Sequence, residues 1–202
     1  MIRAFLAVEL SAALRAELAI LQQDLKGRMR PEVKRGMRLT WPRPASIHLT
    51  FKFLGEIDEL RIEPLRTALE PVIGGQQAVG VPLERLGVFP HLQRPRVVWV
   101  GPSEDWEKGA EAKRVADLHD AIEQACEGFG FPRETRPFSP HLTLVRIKLG
   151  ERELGVALAK RGMLDLPSWS GSLAVESVVL IQSELRPAGP VYTKLWEARL
   201  RS

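Results

Sequence analysis

The stretch SIHLTFKFLGE, residues 46–56, has a counterpart in SPHLTLVRIKLGE, residues 139–151. Both hold a His, an apolar residue, a Thr and a further apolar residue: His48-Leu49-Thr50-Phe51 and His141-Leu142-Thr143-Leu144. The two histidines are 93 positions apart in a chain of 202, close to half its length. In a strand, successive side chains point to opposite faces. Each tetrapeptide therefore sets an imidazole and a hydroxyl on one face and two apolar side chains on the other. A motif written twice at this separation predicts two similar lobes whose His strands meet in the middle.

The flanking sequence carries the same pattern twice. IRAFLAVEL (2–10) reads as a buried strand, and Ser11 as the N-cap of a helix to about Met29, with Leu14, Leu18, Leu21 and Leu25 at helical spacing. A basic loop follows (26–38, with Arg28, Arg30, Lys34, Arg35 and Arg38), then the first His strand near Ile47 to Leu54. A helix from Asp58 to about Ile73 and a strand region at 78–89 complete the first half. RVVWVGP (96–102) starts the series again, followed by a helix from Glu104 to Gly128, the second His strand near His141 to Ile147, and a helix from Glu151 to Gly162. Strands at 174–185 and 194–200 close the chain. The order predicts an α+β fold, bilobal, with two pseudo-symmetric lobes of antiparallel sheet and outer helices around a central cleft, all within one domain spanning 1–202.

Composition excludes several classes. Hydrophobic residues are 45% and charged residues 27%, an ordinary globular balance. Lys and Arg number 29 against 25 Asp and Glu, a net charge of +4 that favours anionic partners only mildly. The single cysteine, Cys126, permits no intrachain disulfide. Arg3 and the apolar run after it imitate a signal peptide, but Glu9, Arg15 and Glu17 interrupt it. No stretch approaches the ~20 apolar residues of a membrane span. A cytoplasmic protein without membrane attachment is expected, and a monomer suffices.

Two imidazoles suit a reaction that needs a base on one side and an acid on the other near neutral pH. Hydroxyls beside them suit the non-bridging oxygens of a phosphate. In-line hydrolysis of a phosphodiester fits both, one imidazole deprotonating water and the other protonating the departing ribose oxygen. A strained cyclic phosphate needs no metal for this. A zinc site fits poorly, because His-x-Thr offers one ligand per strand and no third His, Cys or carboxylate stands at metal-like spacing. No metal and no cofactor are therefore expected. The two devices are chemically symmetric, so their residues do not say which His is acid and which is base.

The paired tetrapeptides resemble the His-x-Thr-x motifs of the 2H phosphoesterase superfamily. RAFLAVEL, HLTFKFLGE, LGVFP, PRVVWVG, RPFSPHLTLVR and LIQSELRPAGPVY, in this order, are similar to the RNA 2′,3′-cyclic phosphodiesterases, also called 2′-5′ RNA ligases (LigT-like). The resemblance spans nearly the whole chain. It implies opening of RNA or nucleotide 2′,3′-cyclic phosphate ends to 2′-phosphomonoesters, with His48 as general acid, His141 as general base, and Thr50 and Thr143 as phosphate ligands. Joining such an end to a 5′-hydroxyl through a 2′-5′ bond uses the same groups. A catalytically idle RNA-end binding module is the third reading, and two intact titratable motifs argue against it.

Other residues are expected around this centre. Lys52 continues the parity of His48 and Thr50 and would add a cation beside the phosphate. Arg146 stands where relatives often carry Arg, although strict alternation from His141 sends it to the opposite face unless a bulge intervenes. Arg136, in the loop before the second motif, would reach a backbone phosphate. Tyr192, in a Gly- and Pro-rich loop, is the preferred base-stacking residue over Phe5 and Phe89. His91 reads as an exposed turn residue, His119 as an ordinary helix residue, and the basic segment 26–38 as a solvated face.

Overall fold

The computed structural model describes residues 1–34, 36–162, 164–165, 171–187 and 189–202, so Arg35 of the basic segment lies outside the described residues. The continuous apolar run near the N-terminus becomes β1 (Ile2–Glu9), which is covered on both faces. Ile2, Ala4, Leu6 and Val8 enter the main core, while Phe5 and Ala7 join a small cluster with Val179 and Ile181 on the other side. Ser11 Oγ accepts from the Leu14 N–H at 3.1 Å, capping α1 (Ala12–Lys34). The helix does not end at Met29. Leu14, Leu18, Leu21, Leu25 and Met29 form one buried stripe, and Pro31 falls in the last turns, where its missing N–H removes a single helical bond.

After α1 come β2 (Arg38–Thr40), β3 (His48–Ile57), α2 (Ile62–Gly74), β4 (Val79–Leu83) and β5 (Arg85–Phe89). The second half supplies β6 (Val97–Gly101), α3 (Ala110–Glu127), β7 (Leu142–Leu149), α4 (Glu151–Arg161), β8 (Gly171–Val175), β9 (Ser177–Arg186) and β10 (Gly189–Arg199). Each long strand region expected from sequence is divided at a glutamate: 78–89 at Glu84, and 174–185 at Glu176.

The first sheet has the order β10-β9-β1-β3, the second β2-β7-β6-β5, and β4 pairs with β8; all of these pairings are antiparallel. One His motif belongs to each four-stranded sheet. The lobes are not the successive halves of the chain, however. β5 leaves the first half to pair with β6, and β9 leaves the second to pair with β1. The helices exchange in the same sense: α1 packs against β7 and β8, and α3 against β3 and β4. The β4–β8 pair touches α3 and β6 through β4 and α1 through β8. Each His strand is thus backed by a helix from the other half. Among the described residues no helix is long and apolar enough to cross a membrane.

Candidate active site

His48 opens β3, at the edge of the first sheet, and His141 immediately precedes β7 of the second; the two strands are in contact. The same local geometry holds both rings. His48 Nδ1 lies 2.9 Å from the Ser46 carbonyl oxygen, and His141 Nδ1 lies 2.8 Å from the Ser139 carbonyl oxygen. A carbonyl only accepts, so each Nδ1 carries the hydrogen and each neutral ring keeps its Nε2 lone pair for the cleft. Thr50 and Thr143 are half-buried on the same faces, and no described side chain or backbone group engages either hydroxyl.

Aromatic walls fix the rings further. Phe5 stacks on His48 at 4.6 Å between centroids, and Tyr192 meets that imidazole edge-on at 5.4 Å. Around His141, Phe89 stands edge-on at 4.9 Å and Trp99 lies at 6.2 Å. Gly87, the cross-strand neighbour of Trp99, makes room for the indole: a Cβ there would come 2.1 Å from Cζ2.

A β-bulge follows each threonine. Ala7 pairs with Thr50 but Leu6 with Lys52, which leaves Phe51 as the extra residue; Trp99 pairs with Thr143 but Val98 with Val145, which leaves Leu144 extra. One inserted residue reverses the parity of what comes after it. Arg146, cross-strand from Val97, therefore returns to the face of Thr143 and Trp99. Its charge acts on His48, His141 and Tyr192 alike. The equivalent residue after the first bulge is Phe53. Lys52 corresponds to Val145 and turns inward, away from the cleft.

Burial dominates the electrostatics of both imidazoles. It pushes the His48 pKa down to about 4; the Ser46 carbonyl opposes the shift, and the Arg146 and His141 charges add to it. His141 is lowered by burial and by Arg146, against the Ser139 carbonyl. Burial raises the Tyr192 phenol, with Arg146 and Arg3 opposing.

A sequence profile of the LigT-like phosphoesterases matches residues 8–99 and 108–192, which include both His-x-Thr motifs. The chain belongs to the LigT-like phosphoesterase family. The RNA 2′,3′-cyclic phosphodiesterase of Methanothermobacter thermautotrophicus is 31% identical over 199 residues, covering 98% of this chain and 99% of its own. That of Aeropyrum pernix is 36% identical over 166 residues, covering 78% and 84%. The crystal structure of TT0787 from Thermus thermophilus superposes with a TM-score of 0.70 at 26% identity, over 99% of this chain and 98% of that one. E. coli LigT complexed with 3′-AMP shares the fold at a TM-score of 0.73 and 22% identity, over 100% and 99%.

In this LigT-like phosphoesterase, Lys52 has a structural place that its strand parity did not foretell. Its Nζ is 2.8 Å from each carboxylate oxygen of Glu123 on α3 and 2.9 Å from the Pro132 carbonyl, with both side chains 2% exposed. Glu123 also accepts from the Glu134 N–H at 2.9 Å. The pair ties β3 to the loop that delivers Ser139 and His141. In the other lobe, buried Gln22 of α1 donates to the Leu144 carbonyl at the bulge (2.9 Å) and to the Pro42 carbonyl before β3 (3.0 Å). His119 lies on α3, as expected of a helix residue, and is buried there, stacked on Phe138 at 4.3 Å with Glu123 Oε1 at 3.8 Å. His91 is exposed, as expected. Arg136 is exposed in the 131–136 loop. In the basic segment, Arg28 pairs with Asp24 at 2.7 Å and Lys26 lies over the Trp41 ring.

The sequence left Phe53, Trp99, Gln22 and Glu123 out of the site. A bulge hides the first. The other three lie on β6, α1 and α3, which reach the motifs only through tertiary packing.

Two outcomes follow from this geometry. Lys52→Met strands a buried carboxylate and should cost about 3–5 kcal/mol in chemical denaturation, with Lys52→Met/Glu123→Leu recovering much of it; a loss under about 1 kcal/mol would show that Glu123 finds solvent. His48 tests the effect of burial on the imidazole. Its folded pKa of about 4 lies below the ordinary 6.5. The unfolded chain therefore binds the proton more readily, and the native state loses stability as pH falls from 6.5 toward 4, by up to about 3 kcal/mol. His48→Gln should lack that part of the acid sensitivity; a stability difference from wild type that is constant across this window would contradict the assignment.

Proposed function

We propose that this protein hydrolyses the 2′,3′-cyclic phosphate ends of RNA to 2′-phosphomonoesters, using His48 and His141 as an acid–base pair. The observation that carries this reading is the pair of imidazoles pinned through Nδ1 at equivalent points of two sheets, each with Nε2 left for proton transfer and Arg146 acting on both. The substrate class is supported by the near-full-length match to the RNA 2′,3′-cyclic phosphodiesterase of Methanothermobacter thermautotrophicus.

In this mechanism neutral His141 takes a proton from water through Nε2 as the water oxygen bonds to phosphorus. The bond from phosphorus to the ribose 3′ oxygen breaks, and protonated His48 gives its Nε2 proton to that oxygen. The 2′ oxygen keeps the phosphate. Thr50, Thr143 and Arg146 hold the non-bridging oxygens, where hydroxyl and guanidinium donors stabilise charge that builds in the transition state. The depressed pKa of His48 is compatible with an acid role. Burial and neighbouring cations disfavour its imidazolium in the free protein, and an anionic phosphodiester offsets both on binding. The bound phosphodiester thus favours the imidazolium that donates to the departing alkoxide.

Among the described residues no three His, Cys, Asp or Glu side chains form a metal-binding group, so activity on a nucleoside 2′,3′-cyclic phosphate is expected to persist in EDTA. Phosphorus NMR should show the 2′-phosphomonoester alone. The division of labour is read from the leaving group: His48→Ala should lose about 10²–10⁴-fold on the cyclic nucleotide and far less on a bound phosphodiester that releases nitrophenolate, whereas His141→Ala should fail on both. Equal losses of His48→Ala on the two substrates, with recovery of His141→Ala on the activated one, would reverse the assignment.

A further inference from the structure

The cleft face of the first sheet does not end at His48. After the Phe51 bulge, Phe53 turns to that face and is 57% exposed, large for a phenyl ring in mid-strand. It stands opposite Phe5 at 5.9 Å between ring centroids, and Phe5 in turn stacks on His48. Phe5 and Tyr192 both touch the imidazole and each other, and Phe53, on the outer strand β3, extends this group of rings through Phe5. Beside that edge lies an open groove of about 560 Å³, lined by Lys52 to Gly55 on one side and by Phe131 to Arg136 on the other.

The groove sets an exposed ring opposite exposed guanidinium groups. Its floor is quiet, because the Lys52 ammonium is held down by Glu123 and the Pro132 carbonyl. Its far wall carries Arg133, Glu134 and Arg136, all exposed. Arg133 faces Asp120 at 3.6 Å, while Arg136 has no ion pair among the described residues. Glu134 sends its own N–H inward to Glu123 and leaves one acidic side chain on a wall with two guanidinium groups. The same loop continues through Phe138 and Ser139 to His141, so the groove's far wall and the second imidazole belong to one connected segment. β3, as the outer strand of its sheet, also presents unpaired backbone donors and acceptors there.

We infer that this groove receives the RNA strand on the 5′ side of the terminal cyclic phosphate: the penultimate base stacks on Phe53, and the phosphate that joins it to the last nucleoside meets Arg136. Any base offers a ring face, so the subsite favours length over sequence. The inference rests on the cyclic-phosphodiesterase reading above and adds a substrate preference that the imidazole pair alone does not require: an oligonucleotide over a mononucleotide.

The test is a ratio, kcat/KM for a tetranucleotide ending in a 2′,3′-cyclic phosphate divided by kcat/KM for the matching nucleoside 2′,3′-cyclic phosphate. An internal ratio does not depend on the folded fraction of a variant. Wild type is expected to favour the tetranucleotide. Phe53→Ala and Arg136→Gln should each lower the ratio about tenfold, within the range for one stacked base or one phosphate contact. Phe53→Trp should keep it, whereas Phe53→Leu should not. An unchanged ratio in Phe53→Ala and Arg136→Gln would overturn the inference, as would equal losses on both substrates, which would place Phe53 at the terminal nucleoside. If wild type turned over neither substrate, the functional reading itself would fall. Fluorescence anisotropy with a labelled tetranucleotide bearing a 2′-phosphate would then still decide the groove, Phe53→Ala and Arg136→Gln weakening its binding or leaving it unchanged.

Discussion

One hydrogen bond, made twice, organises the cleft: imidazole Nδ1–H to the carbonyl two residues earlier. It requires the chain to enter each motif extended, and the residues between supply that. Ile47 is in the β region at φ −78°, ψ 135°. On the other side, Pro140 disfavours helical backbone at Ser139. The bond selects a tautomer and fixes the ring plane, and the aromatic rings packed on each imidazole hold what the bond sets. Burial, to which those rings contribute, is also the largest cause that lowers both histidines. Orientation and acidity therefore come from the same packing.

The second constraint is the bulge after each threonine. A regular strand can show the cleft only every second residue. With one inserted residue, the strand presents His and Thr to the cleft, buries the next side chains, and then returns to the cleft with Phe53 or Arg146. This is also where strict alternation misleads. His48, Thr50, His141 and Thr143 share faces as the period of two requires, because they precede the bulge. Lys52 and Arg146 follow it, and each lies on the face opposite to the one alternation assigns. Nothing in Phe51-Lys52 or Leu144-Val145 marks an insertion; the bulged residues are apolar, as core residues of an unbroken strand would be.

Pseudo-symmetry is visible in the repeat, but its form is not. Local patterning gives strand, helix, His strand, helix and strand in each half, and these elements are present. Whether α1 covers its own sheet or the other one is decided by long-range packing, which leaves the same heptad-like leucines in either case. The exchange has a consequence for the site. Gln22 on α1 and Glu123 on α3 each cross to the other half to hold the chain around a His motif, so both motifs depend on the whole chain being folded. The exchange also breaks the symmetry of the pair. His48 lies against Phe5 and Tyr192, His141 against Phe89 and Trp99, and the two imidazoles no longer share one environment.

The central claim is that both imidazoles are held neutral, with hydrogen on Nδ1 and a free Nε2 turned to the cleft. Imidazole nitrogen chemical shifts, recorded near neutral pH on protein labelled at histidine, measure this directly. His48 and His141 should each show a protonated Nδ1 and an unprotonated Nε2. A hydrogen on Nε2, or a cationic ring, at either position in the free protein would contradict the account.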